Sequence, residues 1–214
     1  IIFGILLQTS GGIDNYIGYL VTGIFVFQFS AGAITSVARS VQSNRSVIQA
    51  FNFPRAALPI GANLREELAA VPLIIAMLLI VIVLPPVELI DPLWLLIIPA
   101  LVLMSIFNLG IGLILARIIS RVNDVSHLLP FTIRLWMYGS AIFYSYDRFI
   151  THPLLLELVK LNPLFNVIDI VRDCVLYNKI PEWQSWAALA VFALGTLMIG
   201  LVFFWQGEER YGRE

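Results

Sequence analysis

The chain has 214 residues, of which 59% are hydrophobic and 13% are charged, and its mean hydropathy is +0.89. Because a soluble domain carries about 25% charged residues, this composition indicates an integral membrane protein and excludes an ordinary soluble domain. The net charge of −1 shows no excess of basic residues of the kind that binds nucleic acid. The single cysteine, Cys174, excludes an internal disulfide and a cysteine-based metal site, so we expect it to be a packing residue.

Windows without charged residues predict the membrane spans, because about 20 apolar residues cross the hydrocarbon core. Ile1–Leu7 is interpreted as the end of a truncated first span, since the chain opens without a methionine. The other predicted spans lie at about 16–38, 68–87, 93–116, 126–146 and 184–206. The prediction is therefore an all-α integral membrane protein with six transmembrane helices in a single domain over residues 1–214.

The distribution of arginines predicts the orientation of these spans. The loop after the span at 16–38 carries Arg39, Arg45, Arg55 and Arg65, whereas the loops at 8–15 and 87–91 carry no Lys or Arg. We therefore expect this loop and the C-terminus to be cytoplasmic. The segment 147–182 is then outside, where its basic residues are balanced by acidic ones.

A short helix is predicted within the first cytoplasmic loop, at about 44–51. Ser43 or Asn44 can cap its start, and Asn52 and Pro54 end it. Its apolar residues Val47, Ile48 and Phe51 lie on one side and could dock on a cytoplasmic partner. The alternative is an interfacial helix that rests on lipid headgroups.

Two spans carry polar and aromatic stripes. In the span at 16–38, the small residues at helical spacing are typical of helix packing, and Thr22, Phe25, Phe29 and Ser36 predict a pore wall with aromatic platforms for sugar rings. In the window at 126–146, Arg134 shares a face with Tyr138. An arginine at the centre of a span costs about 2.5–3.5 kcal/mol. Arg134 therefore either snorkels to the cytoplasmic edge or meets an anionic, phosphate-bearing substrate.

The stretch Leu161–Pro181 predicts an amphipathic helix that is too polar to span a bilayer. Asn162 is a suitable N-cap, and Pro163 suits the first helical position. Its polar residues Asn166, Asp169, Arg172 and Asp173 lie within about one third of the circumference. The helix is either a surface helix on an extramembrane loop or a re-entrant gate over a pore.

Motifs for nucleotide, zinc and acyl-transfer chemistry are absent from the sequence. Neither lysine follows a glycine, so the chain has no phosphate-binding G-x-x-x-x-G-K-[ST] loop. The two histidines, His127 and His152, are predicted on opposite sides of the membrane, which disfavours a shared metal site. We therefore expect no cofactor in this chain.

Several stretches, in this order and at this spacing, resemble the membrane permease of type-2 ABC exporters, in the branch that exports polysaccharides such as O-antigen, teichoic acid and galactan. They are Asn44, Ile48, Phe53-Pro54-Arg55 and Leu58-Pro59 in the first loop, Leu161-Asn162-Pro163-Leu164 followed by Arg172, and the acidic, aromatic tail Glu208–Glu214. At Arg121–Asp124 only Asp124 matches the Phe-Arg-Asp of the family, and Ala141 replaces the proline of a Ser-Pro-x-x-Tyr motif.

The resemblance implies a homodimeric permease of the bacterial cytoplasmic membrane. Each copy would bind a separate ATP-binding cassette subunit that holds ATP and Mg, so the chain would not itself be an enzyme. The substrate would be a lipid-linked polysaccharide, with Arg134 as a candidate contact for its phosphate. Alternatives are a permease for small hydrophobic compounds, and an intramembrane enzyme of glycan or lipid transfer that uses Asp169, Arg172 and Asp173.

The resemblance also implies roles for three groups of residues. Coupling to the ATPase would use Asn44, Arg45, Val47, Ile48, Gln49 and Phe51. The pore would be lined by Thr22, Phe25, Phe29, Ser36, Arg134 and Tyr138. Re-entrant gate helices at about 150–178 would include Asn162, Pro163, Asp169 and Arg172, and a pairing of Asp169 with Arg172 would fix the gate.

Overall fold

The computed structural model describes residues 15–51, 53–84, 91–143 and 159–208. These residues are predominantly α-helical, as the composition predicts. The helices, in chain order, are α1 (Tyr16–Ser43), α2 (Arg45–Ala50), α3 (Ala57–Val83), α4 (Ile97–Arg121, which follows a 3-10 turn at Pro92–Leu96), α5 (Val125–Tyr138), α6 (Pro163–Val175) and α7 (Trp183–Trp205).

Four of the described helical segments are long and apolar enough to cross a membrane, which makes the chain a multi-pass membrane protein. They are α1, α3, the 3-10 turn together with α4, and α7. Several predictions fall, in whole or in part, outside the described residues: the partial span at 1–7, residues 85–87 of the span at 68–87, residues 144–146 of the span at 126–146, residues 150–158 of the gate helices, and residues 209–214 of the tail.

The fifth predicted span, at 126–146, does not form one continuous helix. The helix found there, α5, has 14 residues, which is about 21 Å of helix and too short for a hydrocarbon core of about 30 Å. Residues 139–143 form turns instead. Their carbonyl groups accept hydrogen bonds from Asn162, the N-cap of α6, and from Arg172 within α6, and these bonds replace those of a continuing helix.

Helix α3 begins eleven residues before the predicted start of its span at residue 68. The charged group Arg65, Glu66 and Glu67 therefore lies inside a helix rather than in a loop. Arg65 pairs with Glu66 at 3.1 Å and also donates to the Ser36 hydroxyl at 2.9 Å. The carboxylate of Glu67 accepts hydrogen bonds from Asn63 and from Ser105 of α4. These bonds satisfy the polar groups and let the helix run through them.

The described residues fall into two compact units, and α1, α3, α4, α5 and α7 each contribute to both. The first unit, drawn from 1–28, 72–102 and 135–189, contains α6. Every residue of α6 except Asp169 is buried, and the helix contacts the 3-10 turn at Pro92–Leu96. The surface-helix interpretation of this stretch is therefore wrong, because its apolar faces are covered by other elements of the unit.

The second unit is drawn from 29–71, 103–134 and 190–214, and in it α4 and α7 pack with their backbones in close approach. A Cβ atom placed on Gly110 would lie 2.5 Å from the backbone of Thr196 and Leu197. Small residues permit such close packing between membrane helices. A buried apolar cluster of the same unit holds α2 and is described below.

Candidate functional site

Helix α2 presents two different faces. Ile48 is 5% exposed, whereas Phe51, directly after the helix, is 68% exposed. Val47 and Gln49 are also exposed, and Arg45 is half-buried. The prediction grouped Val47, Ile48 and Phe51 on one docking side. The structure corrects it: Ile48 points into the protein, and only the other two apolar side chains are available to a partner.

An apolar cluster anchors α2 to the long helices of its unit. Ile48 is packed in a buried cluster with Val41, Leu113, Ala116 and Phe204. Burial of an isoleucine side chain contributes about 1.5–3 kcal/mol, and Ile48 is the one buried residue of this 6-residue helix. Helix α2 is therefore held against the long helices through Ile48.

Two polar contacts complete this attachment. Asn44 occupies the N-cap position of α2, but its side chain makes no capping bond and instead donates to the carbonyl of Ser40 at 2.8 Å. The predicted capping role is thus replaced by a tie to the end of α1. Further along, the backbone N–H of Arg55 donates to the carboxylate of Glu208 at 3.1 Å, which ties the segment after α2 to the end of α7.

At the start of α6, the side chain of Asn162 forms hydrogen bonds both to α6 and to the end of α5. Its Oδ1 accepts from the backbone N–H of Leu164 at 3.1 Å, which confirms the predicted N-cap, and Pro163 follows at the first helical position. The same Oδ1 accepts from Trp136 Nε1 at 3.0 Å, and Nδ2 donates to the hydroxyl of Ser140 at 2.8 Å. One side chain therefore caps α6 and binds the end of α5.

One turn before the end of α6, Arg172 binds the turn after α5 from the other side. Arg172 is 2% exposed, and its guanidinium donates to the carbonyls of Ala141 at 3.2 Å and Ile142 at 3.3 Å. It also donates to the carbonyl of Tyr19 in α1 at 3.0 Å and lies 3.3 Å from the centre of the Tyr19 ring. A Cβ on Gly23 would lie 2.8 Å from Nη2, so only glycine leaves room for the guanidinium.

The backbone of Ala141 has a left-handed conformation, with φ of 51°. Its carbonyl accepts from both Arg172 and the Tyr19 hydroxyl, the latter at 3.1 Å. These bonds stabilise a conformation that is costly for a residue with a side chain. Proline, the residue expected here from the Ser-Pro-x-x-Tyr motif, has φ near −65° and cannot adopt this backbone. Alanine at position 141 is therefore compatible with this turn, whereas proline is not.

On the neighbouring face of α6, Asp169 and Asp173 line a cleft of about 390 Å³ together with Lys179 and Glu182. Burial, with the nearby charge of Asp173, raises the pKa of Asp169 to about 6, and Arg172 opposes the rise. Burial likewise raises the pKa of Asp173. No ion pair within 4.0 Å joins Asp169 to Arg172 in the described part of the chain, because Arg172 is directed at carbonyl groups.

This arrangement corrects two predictions about α6. The proposed pairing of Asp169 with Arg172 is not formed, and the three side chains suggested for a transfer enzyme do not converge on one site. Arg172 is buried against α1 and the turn after α5, whereas Asp169 and Asp173 face the cleft. Cys174 is a buried free thiol, in agreement with its predicted packing role.

The residues predicted to line a pore differ in accessibility. Thr22 is fully buried and its hydroxyl donates to carbonyls of its own helix, so it cannot line a pore in this arrangement. Phe29 is also buried, Phe25 and Ser36 are half-buried, and Arg134 and Tyr138 are exposed. The exposed apolar residues of α5 share a face at helical spacing; they are Leu128, Phe131, Leu135 and Tyr138.

Comparison with known proteins assigns the chain to a family. Residues 1–176, most of the chain, match the family described as ABC-2 type transporter. The chain belongs to the ABC-2 type transporter family. Two curated relatives are both described as O-antigen export system permease protein RfbA from Klebsiella pneumoniae. Each is 26% identical over 196 residues, which cover 90% of this chain and 73% of the relative.

These matches confirm the resemblance to type-2 ABC permeases of polysaccharide export. As an ABC-2 type transporter, the chain is the membrane subunit of an ABC exporter, and membership implies association with ATP-binding cassette subunits. Two parts of this ABC-2 chain contain several predicted site residues that contact other helices. One is the short helix α2, and the other is the buried helix α6.

Several residues that contact α6 or its N-cap, or that line the cleft, were not predicted from the sequence. Tyr19, Trp136 and Gly23 contact α6 residues from distant parts of the chain, and nothing in their local sequence marks them. Lys179 and Glu182 line the cleft because the segment after α6 turns back at Asn178, which has φ of 45°. Asn178 is a residue type that tolerates this conformation, and that signal was available in the sequence.

Proposed function

We propose that this chain is the membrane-spanning subunit of an ATP-driven exporter that moves a lipid-linked polysaccharide across the bacterial cytoplasmic membrane. It acts as a homodimer with two ATP-binding cassette subunits, which bind ATP and Mg and hydrolyse ATP. The observation that carries the proposal is α2, a short helix fastened by Ile48 with an exposed apolar side. Membership of the ABC-2 type transporter family and the similarity to O-antigen export permeases support it.

In this proposal the loop with α2 and the C-terminus face the cytoplasm, and α6 lies near the outer side as a gate helix. A cleft of the ATPase receives Phe51, since aromatic side chains are enriched at protein interfaces, and Val47 packs beside it. Movement of the ATPase then passes through Ile48 into α1, α4 and α7, the helices that supply its buried neighbours.

The proposed pore follows the exposed face of α5 in the two copies of the chain. Aromatic side chains such as Phe131 and Tyr138 offer flat surfaces for sugar rings, and Phe25 is a candidate from α1. Arg134, also exposed on α5, is proposed to meet the phosphate of the lipid carrier, for which a guanidinium is a suitable donor. If so, Arg134→Leu impairs export at normal protein levels, and unchanged export would remove Arg134 from the pathway.

Two variants of α2 test the coupling role and separate docking from folding. Val47→Ala with Phe51→Ala removes only exposed surface, so the permease should insert normally while ATPase co-purification falls at least about 30-fold, the loss expected for about 2 kcal/mol of docking energy. Ile48→Ala removes buried groups, which costs about 2–5 kcal/mol, and should lower the amount of folded permease. The matched control is Val191→Ala, which shortens an exposed apolar side chain of α7.

The measurement is ATPase pull-down from membranes, with glycan export followed in the same cells. ATPase recovered at the native level by the Val47 and Phe51 double variant would show that α2 is not the docking helix. A native permease that exports glycan without any ATPase would refute the exporter proposal altogether.

A further inference from the structure

The cleft beside α6 has a lining rich in hydrogen-bonding groups. Its volume of about 390 Å³ is within the range of small-molecule sites, about 300–1,000 Å³. It is bounded by α6, the segments on either side of α6, and the first two turns of α7. The groups that line it include Asn166, Asp169, Asp173, Lys179, Glu182 and Ser185.

Asp173 is the observation that points to a ligand. The side chain is 7% exposed and lines the cleft, yet its carboxylate has no hydrogen bond and no ion pair within 4.0 Å to any described residue. Neither oxygen is among the fully enclosed, unpaired side-chain atoms of the described residues, so the carboxylate is open to the cleft and can accept hydrogen bonds from a molecule that occupies it. A ligand with hydroxyl donors would supply such bonds.

The charges in the lining narrow the class of ligand. Three carboxylates face two ammonium groups, those of Lys160 and Lys179. The excess of negative charge disfavours a phosphate, and the two ammonium groups disfavour a divalent cation. A neutral polyol suits such a lining, because each hydroxyl both donates to a carboxylate and accepts from an ammonium group. Phe165 adds an apolar surface for the carbon face of a sugar ring.

We infer that the cleft beside α6 binds a saccharide unit of the exported glycan, with Asp173 and Asp169 accepting bonds from its hydroxyl groups. The inference rests on the proposed function and extends it, because it places a carbohydrate site on the gate helix rather than in the pore. Asp173 and Arg172 are adjacent on α6, so the residue that binds the sugar is next to the residue that binds the turn after α5.

The test uses the full-length permease with its ATPase subunits in lipid nanodiscs. The probe is a set of fluorescently labelled oligosaccharides, released by mild acid from the lipid-linked polysaccharide that accumulates when the ATPase of the native host is inactivated. Binding is measured by equilibrium dialysis. Asp173→Asn should weaken binding about tenfold, the loss expected for one hydrogen bond to a charged group. Ser185→Phe should abolish binding by filling the cleft, and it decides the question if Asp173→Asn does not fold.

The control is Glu66→Gln, the same chemical change at a site in the other unit, which should bind as the native complex does. Native complex without saturable binding, or both cleft variants with native affinity, would overturn the carbohydrate site while the exporter proposal stands. Displacement of the probe by glycerol 3-phosphate would assign the cleft to lipid headgroups and would also overturn it. If no lipid-linked polysaccharide accumulates in the first place, the proposed function itself fails.

Discussion

Asp169 makes the stability of the protein depend on pH in a direction that is opposite to that of most carboxylates. Burial and the neighbouring Asp173 raise its pKa from 3.8 to about 6. The folded state therefore binds a proton more tightly than the unfolded state does. Below pH 3.8 the carboxyl group is neutral in both states and costs nothing. As the pH rises through 6, the folded state must hold a buried charge, and stability is lost.

The size of this loss follows from the two pKa values. A difference from 3.8 to about 6 corresponds to about 3 kcal/mol above pH 6. Asp169→Asn removes the charge and should stabilise the protein by up to about 3 kcal/mol at pH 8, with almost no effect at pH 4. For a chain of this length, 1 kcal/mol shifts the unfolding temperature by about 2–4 °C, so the gain at pH 8 is up to about 6–12 °C.

The assay is thermal unfolding of the purified protein in detergent at pH 4 and at pH 8. Asp124→Asn, the same change at an exposed carboxylate, is the control and should show no such dependence. An equal shift for Asp169→Asn at both pH values, or a lower unfolding temperature at pH 8, would refute the reasoning, because either result means that Asp169 is not a desolvated charge.

Three other substitutions follow from single contacts. Ala141→Gly should raise stability by about 1 kcal/mol, measured by thermal unfolding, because glycine adopts its φ of 51° without strain; a loss of stability would contradict this. Gly110→Ala should sharply reduce the folded protein recovered from membranes, since its Cβ would meet backbone, whereas Gly61→Ala, with open space around it, should not. Asn162→Ala should cost about 1–2 kcal/mol as a lost cap and should also shift the fluorescence of Trp136, its partner; an unchanged spectrum would place the effect in α6 alone.

Hydropathy along the chain predicted the all-α membrane class and the existence of the four spanning helices. The driving force for insertion acts on each apolar run by itself, so about 20 consecutive residues contain the information. The start of α6 could also be predicted from the local sequence, because Asn162 and Pro163 act on the backbone groups next to them. The burial of Cys174 was also anticipated, since a lone cysteine is usually a packing residue.

Where side chains point was decided only by the tertiary structure. Helix α3 runs past Glu67 because Ser105, 38 residues away, supplies a hydrogen bond. Helix α5 ends early because Arg172, 31 residues beyond Ala141, takes the carbonyl groups that a longer helix would have used. Ile48 is buried and Phe51 exposed because the cluster that receives Ile48 comes from three other helices. The continuation of α3, the end of α5 and the burial of Ile48 each depend on a residue that is remote in sequence. Such a contact forms only when the fold brings the two residues together, so the local sequence does not reveal it.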